Sequence, residues 1–160
     1  MTNSDAFALH SRLTRMRQLF MLSVLGISPL LAGDVADMDG VWVLNVARSK
    51  WNAAPKPDAG RLVIEHQEPK LKCQRTLTTA NADESNMKFD GLIDGKEHNG
   101  VIAARLSPYS ILFTSKTDGG GTQEITVTMT KDGAHLVRRV QSSGPAGKLL
   151  WTELYDKQQP

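Results

Sequence analysis

Histidine sits beside carboxylates twice in the chain. His66 lies between Glu65 and Glu68, and His98 follows Asp94 and Glu97. Imidazole and carboxylate side chains that converge three or four at a time are what a zinc-type site requires. Successive side chains of a strand point to opposite faces, so only His66 and Glu68 of the first group share one. Both groups read as a solvated strand edge or hairpin tip, and no metal site is expected. Nucleophilic catalysis would need an activated serine or cysteine. The chain has no Gly-x-Ser-x-Gly elbow, and Cys73 stands alone with no signature around it. The run DGGG at 118–121 lacks the spacing and the following helix of a phosphate loop. The sequence therefore assigns no catalytic residue and no cofactor.

The adjacent arginines of AHLVRRVQ, Arg138 and Arg139, are of more interest. In a strand they must point opposite ways. If Asp132-Gly133 is a two-residue type I′ turn, Lys131 pairs with Ala134, Met129 with Leu136, Val127 with Arg138 and Ile125 with Val140. A three-residue loop, Lys131 to Gly133, would instead set Ile125 opposite Arg139. The first register gathers more apolar side chains on the core side, and register follows that pattern. Arg138 is therefore expected to point inward, where an unpaired charge is very costly and a partner is needed.

The elements that would position these residues are strands. Past Ala32 the dominant period is two. GVWVLNV alternates Trp42, Leu44 and Val46 against Val41, Val43 and Asn45. RLVIEHQ sets Leu62, Ile64 and His66 on one face, and LKCQRTLTT is β-rich and alternating. MKFDG, VIAARL and SILFTSK follow. TQEITVTMT alternates most regularly, and KLLWTELYDK closes the chain. Loops are expected at 47–60, which holds Pro55, Pro57 and Gly60, and at SSGPAG. Turns are expected at 81–85, Asp94-Gly95, Ser107-Pro108, DGGG and KDG. Eight to ten short strands with hairpin signals, apolar on one side, predict an all-β, single antiparallel up-and-down barrel of about 8–10 strands.

The N-terminus has a different character. Arg12, Arg15 and Arg17 precede an apolar run from Leu19 to Ala32, broken by Gly26 and Pro29. This is the layout of a secretory signal, and the run is shorter than the about 20 residues of a membrane span. Residues 1–32 are read as the signal, with Met1 or Met16 as its start, and 34–158 as the barrel domain. Export makes the protein secreted or periplasmic, with no membrane span once mature. Removing residues 1–32 takes away three Arg and Asp5, and leaves sixteen basic and sixteen acidic side chains of the nineteen and seventeen. A neutral mature chain gives no reason to expect nucleic acid or an anionic membrane as a partner. A lone cysteine excludes an internal disulfide, and Cys73 is expected as a small buried hydrophobe.

DGVWVLNVARSKW, residues 39–51, resembles the first strand of the lipocalin-like (calycin) barrels, which begin with a Gly-x-Trp motif, here Gly40 and Trp42. Its extended form also resembles small exported bacterial proteins, many of which end in a Tyr-acidic-Lys strand, here Tyr155-Asp156-Lys157. The resemblance spans about 38–157 in strand pattern, and its specific motifs cover the two ends. It implies an antiparallel barrel whose first and last strands meet, with Gly40 and Trp42 as a structural plug covered by a basic side chain. It also implies an interior that holds a small apolar or amphipathic ligand. Two departures limit it. Fatty-acid-binding members hold the carboxylate with an Arg-x-Tyr pair in the last strand, where this chain has Glu153 and Tyr155. Avidin-like members need several more tryptophans, and only Trp51 and Trp151 remain.

The function expected is binding or sequestering of such a ligand rather than catalysis. Its candidate contacts are Arg138, Val127, Met129 and Tyr155. Arg138 would be partnered by the face of Trp42, as the resemblance suggests, or by an anionic group of the ligand. An envelope interaction module with a filled barrel is the alternative, and a hydrolase- or isomerase-type barrel enzyme comes last. Eight-stranded barrels hold one ligand or fill with side chains. Trp51, in the Pro-flanked loop, is expected to be dispensable to the core.

Overall fold

The computed structural model describes residues 34–80, 85–145 and 147–159. The expected signal segment lies outside the described residues, as does most of the turn at 81–85. The described residues contain ten strands and no helix: β1 Gly40–Leu44, β2 Ala59–Gln67, β3 Lys70–Thr78, β4 Ser85–Leu92, β5 Glu97–His98, β6 Val101–Ser107, β7 Ser110–Lys116, β8 Thr122–Met129, β9 His135–Gly144 and β10 Gly147–Lys157. Among the described residues no helix is long and apolar enough to cross a membrane.

All ten strands form one antiparallel sheet in the order β4-β3-β2-β1-β10-β9-β8-β7-β6-β5. Neighbours in sequence are neighbours in space, except that the first and last strands pair, Trp42 opposite Lys157 and Leu44 opposite Tyr155. This is an up-and-down barrel, nearly closed. The edge strands β4 and β5 approach each other without a ladder between them. Across this seam, Phe89 of β4 meets Phe113 of β7 edge to face, with centroids 5.4 Å apart. Near it, Arg105 of β6 pairs with Glu68 of the β2–β3 turn.

Alternation sorts the side chains. Along β8, Ile125, Val127 and Met129 are buried, and along β9 so are Leu136, Arg138 and Val140, while Arg139 is exposed. The β8–β9 register sets Met129 opposite Leu136, Val127 opposite Arg138 and Ile125 opposite Val140. That is the expected register, although the turn differs. The loop is four residues, closed by the Thr130 amide donating to the His135 carbonyl. Asp132 Oδ1 accepts from Thr130 Oγ1 and from the Ala134 amide, and Gly133 takes a φ of 69° that suits glycine. Lengthening the loop by the 131/134 pair leaves the register beyond it unchanged.

Two loop expectations need correction. Residues 142–144 and 147–149 pair with each other, so β9 and β10 run on into what reads as a loop. Trp51 lies in the loop between β1 and β2, as expected, but it is not dispensable to the core. It is 8% exposed, part of the core, and held by an indole donation to the Val46 carbonyl at 3.4 Å. The segment carrying it is fastened to β10 by the Lys50–Thr152 bridge and by Asn52 Nδ2 donating to the Leu150 carbonyl at 2.6 Å. Those tethers fold a Pro-rich stretch over the barrel mouth, which local loop signals do not show.

Candidate functional site

Three charged side chains stand inside the barrel. Arg75 on β3, Arg138 on β9 and Glu153 on β10 are 6%, 2% and 0% exposed. The same alternation that buries Leu71, Cys73 and Leu77 turns Arg75 inward, and Glu153 is carried in with Tyr155. Both guanidinium groups converge on the one carboxylate. Arg75 Nη2 donates to Glu153 Oε1 at 2.6 Å, and Arg75 Nε to Oε2 at 3.1 Å. Arg138 Nη1 donates to Oε1 at 2.8 Å. The Trp151 indole donates to Oε1 at 2.8 Å, and Tyr155 Oη to Oε2 at 2.7 Å. Arg75 Nε also reaches Tyr155 Oη at 3.1 Å.

The electrostatics follow from this packing. Burial alone would push the Glu153 carboxyl up, but the two arginines and the Tyr155 and Trp151 donors outweigh it and hold the carboxyl below the ordinary carboxylate value. The Tyr155 phenol is pushed well up by burial and by the neighbouring carboxylate, so it is a neutral donor. Burial pulls the Arg138 guanidinium down, against the attraction of Glu153. Guanidinium groups stay protonated in proteins, so two cations and one anion leave an excess of one positive charge.

This cluster divides the interior. On one side lies an apolar cavity of about 10 Å³, lined by residues including Met38, Cys73, Ile111, Val127 and Arg138. That is room for about one water. Cys73 is a buried thiol there, pushed up to about 11 by burial. On the other side is a mouth pocket of about 380 Å³, within the range of small-molecule sites. Its walls include Trp51, Pro55, Pro57, Leu149 and Trp151, and both Arg75 and Arg138 contribute to it. Arg138 and Met87 line both spaces and so mark the floor of the mouth pocket.

Of the residues singled out in the sequence, Arg138 and Tyr155 are brought together in this cluster. Val127 lines the small apolar cavity, and Met129 is packed in the core. The partner of Arg138 is Glu153, not the face of Trp42. The basic side chain over Trp42 is Lys157, with Nζ 5.1 Å from the ring centroid. Trp42 is fully buried and donates its indole N–H to the Met38 carbonyl at 3.1 Å. Gly40 has a φ of 129°, and a Cβ there would sit 3.1 Å from Lys157 Cε. Absence of that Cβ lets the lysine stem lie across the plug. Sequence reasoning missed Arg75 and the bridging role of Glu153.

The histidines lie within hydrogen-bond distance of neighbouring carboxylates. His66 Nε2 is 2.8 Å from Glu68 Oε2 and 3.2 Å from Arg105 Nη2, while His98 Nε2 is 3.0 Å from Asp94 Oδ1. No group of three or more His, Cys, Asp or Glu is placed to hold a metal ion among the described residues. No protein-family model matches the chain, and no curated protein matches it.

Proposed function

We propose that this is an exported, lipocalin-like barrel, its mature domain spanning 34–158, that binds a small amphipathic molecule and performs no chemistry on it. The observation that carries the reading is the mouth pocket, an apolar and aromatic concavity of about 380 Å³ with buried arginines at its floor. Small-molecule sites have this composition, mostly apolar walls with a few placed polar groups. The resemblance of Gly40-x-Trp42 and of the closing Tyr155-Asp156-Lys157 to lipocalin-like proteins supports it, and the apolar run at 19–32 supports export. With only about 10 Å³ in the inner cavity, the ligand sits at the mouth rather than deep inside.

A filled inner barrel also favours a second reading, an envelope interaction module. Leu149 and Leu150, 43% and 50% exposed, would anchor the partner. Native mass spectrometry of protein purified from its own envelope fraction separates the two. The carrier reading expects one small-molecule adduct per chain, released on unfolding. A bare chain mass, with another protein retained instead, contradicts it.

A further inference from the structure

We infer that the molecule taken at the barrel mouth is a compact organic monoanion, a carboxylate on a flat apolar body, whose charge completes the Arg75–Glu153–Arg138 cluster; this rests on the small-molecule reading above. Three observations carry it.

The first is charge. One carboxylate needs one guanidinium, and Arg75 already grips both oxygens of Glu153. Arg138 adds a second cation to a buried site, which is unfavourable unless another anion offsets it. The second is an unused donor. Arg138 is 2% exposed, yet its Nε has no hydrogen-bond partner. Its Nη2 meets only the Met87 thioether at 3.5 Å among the bonds described, and a thioether is a weak acceptor. Met87, which also lines the mouth pocket, lies against this edge, so a rotamer change of that flexible side chain opens it to a planar carboxylate, which accepts two parallel N–H groups. The third is space. Arg138 and Arg75 both line the mouth pocket, while the cavity beyond them holds about 10 Å³. A long alkyl chain has nowhere to go past the arginines. The apolar body must lie outward, between Trp51 and Trp151 and beside Pro55 and Leu149.

Glu153 itself does not leave to admit the anion. Its five accepted hydrogen bonds, from Arg75, Arg138, Trp151 and Tyr155, fix it in place. It orients the two guanidinium groups and leaves Arg138 with donors to spare.

The test is calorimetric titration of the full chain at neutral pH with 2-naphthoate and with its uncharged isostere 2-naphthamide. Naphthoate should bind one to one and about tenfold or more tighter than the amide, as charge-assisted bonds at a desolvated site require. Leu149→Glu puts a negative charge on the pocket wall at a half-exposed position outside the charge cluster, where folding is not at risk. It should weaken naphthoate about fivefold or more and change the amide far less. Equal affinity for the two probes, or naphthoate binding indifferent to Leu149→Glu, overturns the inference and leaves the small-molecule reading standing. Binding of neither probe overturns it as well, and the wider reading then falls only if the native mass spectrum is also bare.

Discussion

Glu153 holds the interior together at the scale of single residues. With its side chain intact, two buried cations share an anion. Glu153→Gln would leave both uncompensated, and breaking a buried pair in this way costs about 3–5 kcal/mol. Arg138→Met is a different case, because Arg75 and Glu153 remain as a neutral pair and a methionine fills a similar volume. Its cost should be within about 1 kcal/mol, since replacing buried charge by packed apolar atoms is often neutral. Urea unfolding of the two variants checks the order, and equal losses would contradict it. The same cluster sets an acid limit. The Glu153 carboxyl lies below its ordinary value of 4.5 in the folded chain, so the folded state holds its proton less tightly than the unfolded one. The stability this gives is complete above that value and is lost as pH falls through the folded value. Thermal midpoints should show an acid-side decline beginning below about pH 4.5 that Glu153→Gln reduces.

Two tryptophans make a further residue-scale comparison. Trp42 is fully buried and Trp51 is 8% exposed. Truncation of a buried tryptophan costs about 3–5 kcal/mol, so Trp42→Ala and Trp51→Ala should both lower the midpoint substantially. A neutral Trp51→Ala would mean that the 45–58 segment does not pack as described.

At the scale of the element, much of the barrel was written in the alternation. TQEITVTMT and AHLVRRVQ fix which residues face inward, and their apolar content fixes their register, including the inward Arg138. The same rule applied to LKCQRTLTT places Arg75 on the face of Leu71, Cys73 and Leu77, and applied to WTELY places Glu153 with Trp151 and Tyr155. Both charges were therefore legible as inward. Their meeting was not, because β3 and β10 are separated in the sheet by β2 and β1, and the contact runs across the barrel interior. Nor was the position of Trp51, which depends on Lys50 and Asn52 binding β10, some 100 residues onward. Gly40 gives the element-scale prediction. Its φ of 129° and the nearness of Lys157 Cε make Gly40→Ala costly twice over, by backbone strain of about 1–3 kcal/mol and by displacing the lysine. In a Lys157→Ala background the second part should vanish and the first remain. If Lys157→Ala restores full stability to Gly40→Ala, the backbone at Gly40 is unstrained.

At the scale of the whole molecule, the ten strands of the described residues enclose a core that is filled at the Trp42 end and open at the other. The charge cluster lies between the two. A barrel seen only as a strand count could be hollow or packed, and no sequence pattern decides that. Here the side chains leave about 10 Å³ within and about 380 Å³ at the mouth. The central claim is that a small amphipathic anion binds at the mouth and does not enter the inner barrel. Three indole N–H groups report on it, because each has its own partner. Trp42 donates to the Met38 carbonyl, Trp51 to the Val46 carbonyl and Trp151 to Glu153. The direct measurement is a nitrogen–proton correlation spectrum of the labelled chain during titration with 2-naphthoate. The Trp151 and Trp51 indole signals should move together and saturate, with Trp42 unchanged. Movement of Trp42 ahead of the other two would put the ligand in the inner barrel, and three stationary indole signals at saturating probe would mean that the mouth is not a binding site.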